Sequence, residues 1–227
     1  MLAAIGFIIT GGLVTAFAET FERIVARPHK LNLWQFSAAY YALGLALMVW
    51  GIASLTNTSQ ILQFSVYVGD ALLLAGSVLL LSLVTPSKYY QKVLLIEVFV
   101  ALVLLATRAT YYQPEPAMKD GILLFNTQWP VAAVLGAAFT LIWLPVNVRV
   151  AQIVTAATKL KGVGQLYVSL YVGAVLAALF FLSSKRFAAV VLSFMTIGVV
   201  FALLVASNFV TAAASAPAKK KAARHGK

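Results

Sequence analysis

The chain has 227 residues, of which 62% are hydrophobic and only 10% charged, with a formal net charge of +11. A soluble domain of this length carries far more polar surface, so lipid is the solvent that this composition expects. With no cysteine, disulfides, thiolate metal sites, iron–sulfur clusters and cysteine nucleophiles are excluded, and the redox compartment stays open.

Seven apolar runs, each about the 20 residues that a helix needs to cross a bilayer, predict an all-α integral membrane protein. They lie at about 2–22, 33–55, 61–84, 91–112, 122–147, 164–183 and 187–210. Residues 1–210 then form a seven-transmembrane-helix bundle and residues 211–227 a disordered basic tail. The first run lacks a basic leader segment and reads as an uncleaved helix. Short polar connections between long apolar runs disfavour a barrel, whose strands alternate with period two.

The first connection holds Arg23, Arg27, His29 and Lys30, with Pro28 stopping the helix. The second, Asn57-Thr58-Ser59 and its neighbours, is uncharged and matches a glycosylation triplet. The third carries Pro86, Lys88 and Lys92, and the fourth carries Pro114, Glu115, Pro116, Lys119 and Asp120. The fifth, about 149–163, holds Arg149, Lys159 and Lys161, and the sixth holds Lys185 and Arg186. Odd-numbered connections and the tail together receive thirteen of the 17 Lys and Arg. Arg108, Lys119, Lys185 and Arg186 fall on the other side. Basic connections stay cytoplasmic, so the expected multi-pass protein of the cell membrane has its N-terminus outside and its C-terminus in the cytoplasm.

The tail ends in Lys219, Lys220, Lys221, Arg224 and Lys227 after an Ala/Ser/Pro-rich stretch that cannot bury a core. Its expected partner is anionic lipid, with each basic residue contributing about 1 kcal/mol near the surface. Nucleic acid is disfavoured, because no aromatic residue is interleaved with these charges.

Few polar groups fall inside the spans. Asp70 sits near the middle of the third, where an acid is costly and faces the protein interior or a watery cavity. Tyr67, Leu74 and Ser77 share its helix side, while Gly69, Ala71, Ala75 and Gly76 permit close approach of neighbours. Asp70 reads either as a hydrogen-bonding group between helices or as a ligand, ion or proton site. Glu97 and Arg108 project from one stripe of the fourth span. Glu97 reads as a protonated acid within the bundle or as part of a pathway, and Arg108 as a snorkelling anchor or a partner of Asp70. The levels of Asp70 and Arg108 differ by less than about 10 Å when antiparallel helices rise about 1.5 Å per residue, so the two are expected to pair. Glu19 and Arg23, spaced i, i+4, read as an exposed staple. Asn126, Thr127, Gln128, Trp129 and Pro130 are expected in the outer third of the fifth span, as a kinked vestibule or a plain interfacial end. Trp143, Pro145 and Asn147 are expected at its inner end, and Ala132 and Gly136 as a small-residue packing face.

Several chemistries are excluded. No lysine lies between Phe187 and Val210, which removes retinal attachment on the seventh span. The two histidines, His29 and His225, lie in a connection and the tail, so neither haem nor a zinc site is expected. Gly69-Asp70 resembles part of the intramembrane aspartyl protease motif, but the needed acid pair is missing, because the chain's other aspartate, Asp120, lies in a predicted connection. No cofactor, catalytic residue or metal site is expected, and the chain is read as a non-enzyme.

The segment LNLWQFSAAYYALGLALMVWGIASL, Leu31–Leu55, resembles the second helix of the seven-helix sensor region that precedes many bacterial histidine kinases. Short basic turns, a Trp near the helix end and an outward N-terminus are shared over the first three spans. The resemblance implies a signal-input membrane module. The chain departs from that pattern in having no kinase, cyclase or other output domain after the spans, so output is expected through a membrane-protein partner or a homo-oligomer. A solute, ion or proton transporter using Asp70, Glu97 and Arg108 is the second class, with a structural subunit or assembly factor the third.

Overall fold

The computed structural model describes residues 2–56, 58–86, 88–119 and 122–158. The sixth and seventh predicted spans, the basic tail, Asn57 and Asp120 lie outside the described residues. Within those residues, five helices are long and apolar enough to cross a membrane, the architecture of a helical membrane protein. They comprise α1 (Leu2–Thr20), extended by a wider turn over Phe21–Ala26; α2 (Trp34–Thr56); α3 (Ser59–Val84); α4 (Tyr90–Thr110); and a fifth, composite helix. That last helix runs as α5 (Trp129–Ala138), a π-helical segment (Phe139–Trp143) and α6 (Leu144–Thr158).

The first four helices follow the apolar runs closely. The fifth departs from expectation at both ends. Ile122–Leu124 is not helical but forms β2, paired antiparallel with β1 (Ala117–Lys119) in the register Ala117 to Leu124. The described residues are mostly helical, as expected, and this hairpin of three-residue strands is a local departure from helix. Pro114, Pro116 and the positive φ of 45° at Asn126 bracket an apolar stretch too short to nucleate a helix. At the other end the helix continues to Thr158, so Pro145, Asn147 and Arg149 lie inside it rather than at its inner end. Pro145 cannot donate to the carbonyl one turn back and its ring presses on it, which accounts for the widened turn just before it.

Helices α1 and α2 pack backbone against backbone. A Cβ added at Gly44 would lie 2.8 Å from the Gly11 carbonyl oxygen, so the two backbones touch at glycine. Aromatic rings fill the two ends of this layer. Phe21, Phe36, Tyr40 and Trp143 stack in sequence at one end. Phe7, Trp50 and Phe125 meet edge to face at the other. Phe125 follows β2, so the hairpin is tucked into the core and Leu123 is fully buried. In contrast α4 is nearly bare: Arg108 is its one buried residue.

Candidate functional site

The site is built by α3 and α4 around that one buried residue. Asp70, 5% exposed, accepts a hydrogen bond from Nε of Arg108, 4% exposed, at 3.1 Å. The Nη1 of Arg108 donates to the carbonyl of Tyr112, just beyond the end of α4. One guanidinium therefore joins the middle of α3 to the chain leaving α4, where helix carbonyls lack partners and a cation is favoured. The pairing expected from helix depth is present, and Arg108 points inward instead of snorkelling.

Beside the pair is a small crevice of about 90 Å³ between α3, α4 and α5. Leu74, Leu104, Val131 and Leu135 line it together with Asp70 and Arg108. An apolar chamber ending on a carboxylate and a guanidinium is chemically able to take an amphiphile: Arg108 accepts an anionic group, Asp70 a cation or proton. Among the described residues no group of three or more His, Asp or Glu comes together to hold a metal.

The other residues singled out from sequence lie elsewhere. Tyr67 is half-buried on α3 and does not line the crevice. Ser77, one to two turns further along α3, serves a different network: it accepts from Trp143 Nε1 at 2.9 Å and donates to the Leu73 carbonyl. Asn147 continues that network, accepting from the Tyr40 hydroxyl at 2.7 Å and donating to the Trp143 carbonyl at 2.7 Å. Glu97 does not join the ion pair; one of its carboxylate oxygens is buried without a hydrogen-bond partner among the described residues. Glu19 and Arg23 form the expected exposed pair, and Glu19 also accepts from the Tyr41 hydroxyl.

Asn126, Thr127 and Gln128 precede the fifth helix instead of lying within it, which corrects their expected position. Asn126 donates to the Glu115 carbonyl at 2.9 Å and braces the hairpin. Trp129 is 74% exposed at the first residue of α5. Pro130 follows it in the first turn, where its missing N–H costs nothing and no kink results. Ala132 is buried as a packing residue, whereas a Cβ at Gly136 would meet nothing within 4 Å.

Sequence reasoning did not pick out Leu104, Tyr112 or Val131 beside the pair, since apolar residues and a loop carbonyl carry no signal in an apolar chain. The Tyr40–Asn147 bond did leave a trace: an Asn two residues after a proline, in a run that stays helical. Against known proteins, the chain matches no family model, no curated protein and no solved structure.

Proposed function

We propose that this chain is a non-catalytic, multi-pass module of the cell membrane, of sensor or receptor type, whose output passes through a membrane-protein partner or a second copy. The observation that supports this reading is that, among the described residues, the one buried residue of α4, Arg108, is ion-paired with Asp70 beside an apolar crevice. A ligand that binds one arrangement of such a pair better than another shifts the population of helix positions. An amphiphile entering from lipid would compete for Arg108 or Asp70 and release α4. In the full reading seven spans place the N-terminus outside and the basic tail in the cytoplasm, where Lys219, Lys220 and Lys221 rest on anionic lipid.

A second reading, a subunit of a larger membrane complex, draws support from the bare face of α4. Leu95, Ile96, Phe99 and Leu102 are all more than half exposed there.

The test uses the absence of native cysteine. Spin labels on Leu45→Cys in α2 and Phe99→Cys in α4, in nanodiscs, report the position of α4. The receptor reading expects Asp70→Asn to broaden or shift the distance distribution, and expects proteoliposomes to show no proton or ion flux. An unchanged distribution would favour the static subunit, and flux abolished by Asp70→Asn would replace the receptor with a transporter.

A further inference from the structure

The crevice between α3, α4 and α5 has a polar end and an apolar floor. Asp70 and Arg108 line the first, while Leu74, Leu104 and Leu135 line the second, about a turn further along their helices. Its volume of about 90 Å³ is below the roughly 150 Å³ in which an apolar cavity holds a benzene ring. A single alkyl chain fits where a ring or a second chain does not. Val134, which also lines it, is 39% exposed, so the crevice opens on the side of the bundle. The polar end can be reached. Gln35 Oε1 and Glu97 Oε2 are the side-chain atoms buried without a partner among the described residues. Asp70 Oδ1 and Arg108 Nη2 also lack a partner there, because the guanidinium donates through Nε to Oδ2 and through Nη1 to Tyr112. Both atoms therefore keep accessible surface: one is an acceptor and the other a donor.

The charges of the pair cancel, and this decides what can come between them. A carboxylate that takes Arg108 strands Asp70, and an ammonium that takes Asp70 strands Arg108; either leaves an uncompensated buried charge. A head that only accepts satisfies Arg108 alone. A neutral head with both functions satisfies the two sides at once, receiving from the guanidinium and donating to the carboxylate. We propose that the crevice binds a single-chain amphiphile whose neutral head both donates and accepts a hydrogen bond, as a primary carboxamide or an alcohol does, with its chain on Leu74, Leu104 and Leu135. This rests on the reading that an amphiphile competes for the ion pair, and it specifies the head that can separate the pair without stranding either charge.

The full chain is reconstituted in phosphatidylcholine nanodiscs, and its thermal midpoint is followed against the mole fraction of probe in the disc. Using mole fraction, calibrated on empty discs, cancels differences in partitioning. Decanamide and decanol carry both functions, N,N-dimethyldecanamide only accepts, and ionised decanoate and decylammonium are charged. Decanamide or decanol is expected to reach half-effect at a mole fraction at least about tenfold lower than the other three, and the tighter of the two assigns the head. Val134→Phe fills the crevice from its exposed edge without crowding the core, and is expected to abolish the response to both. Asp70→Asn leaves Arg108 with a net charge, so the preference is expected to turn to decanoate. Equal or tighter binding of dimethyldecanamide or decanoate by the unaltered chain, or a response that survives Val134→Phe, would overturn the proposal. The spin labels at Leu45→Cys and Phe99→Cys keep it separate from the receptor reading. Selective decanamide or decanol binding with no change in label distance upholds this ligand class and removes the receptor. A distance that responds to Asp70→Asn, with no selectivity among probes, keeps the receptor and removes this ligand class.

Discussion

Arg108 and Asp70 are 38 residues apart in the chain and joined by a 3.1 Å hydrogen-bonded ion pair with both side chains buried. Removing one partner strands a buried charge, at a cost on the order of 3 kcal/mol. Asp70→Asn and Arg108→Gln are each expected to destabilise, and the double variant to cost less than their sum by about 1 kcal/mol or more. Reversible unfolding in mixed detergent micelles measures all three. Additive costs would show that the two groups act separately.

The contact of α1 with α2 predicts a sharp contrast between two glycines of similar sequence context. At Gly44 a new Cβ would meet Thr15 Cγ2 at 2.6 Å and the Gly11 carbonyl at 2.8 Å, whereas at Gly12 it would meet nothing within 4 Å. Gly44→Ala is expected to cost about 1–3 kcal/mol through overpacking. Gly12→Ala is expected to be neutral or to gain up to about 1 kcal/mol in helix propensity. Thermal midpoints of the two variants, in one detergent, decide the matter.

Tyr40 and Asn147 tie α2 to α6 through a buried hydrogen bond. Tyr40→Phe is expected to lose about 1 kcal/mol, the usual scale for one such bond. Asn147→Leu should lose more, because it strands the Tyr40 hydroxyl and removes the bond to the Trp143 carbonyl. A change in the tryptophan emission of both variants, absent from Asn126→Ala, would place the disturbance at Trp143.

Orientation is open to direct labelling in a chain without cysteine. Tyr111→Cys, 79% exposed beyond α4, should react with a membrane-impermeant maleimide in intact cells. Asn32→Cys, before α2, should react only after permeabilisation, and a reporter fused after Ala212 should work only in the cytoplasm. The reverse labelling pattern would invert the proposed topology.

Much of this fold was legible because lipid imposes a blunt rule: a span must be long, apolar and helical. The ends of α2, α3 and α4 follow from it, as does the Asp70–Arg108 pair, since two charges in adjacent antiparallel helices at similar depth have few other partners. The rule fails where backbone is sheltered by protein. Ile122–Leu124 is as apolar as a helix start, yet it pairs in a hairpin whose Leu123 is fully buried. Proline is equally ambiguous in sequence: Pro130 sits harmlessly in a first turn while Pro145 follows a widened one.

The hairpin carries a consequence for biogenesis. Phe125 rests against Phe7 of α1 and Trp50 of α2, although both helices emerge from the ribosome well before it. Its seat exists only once those two helices have met, and it must stay vacant while α3 and α4 are threaded into the bilayer. Seating of the hairpin therefore follows the meeting of α1 and α2 and the insertion of α3 and α4. The protease sensitivity of residues 111–128 then becomes a clock for the assembly of helices to which they do not belong.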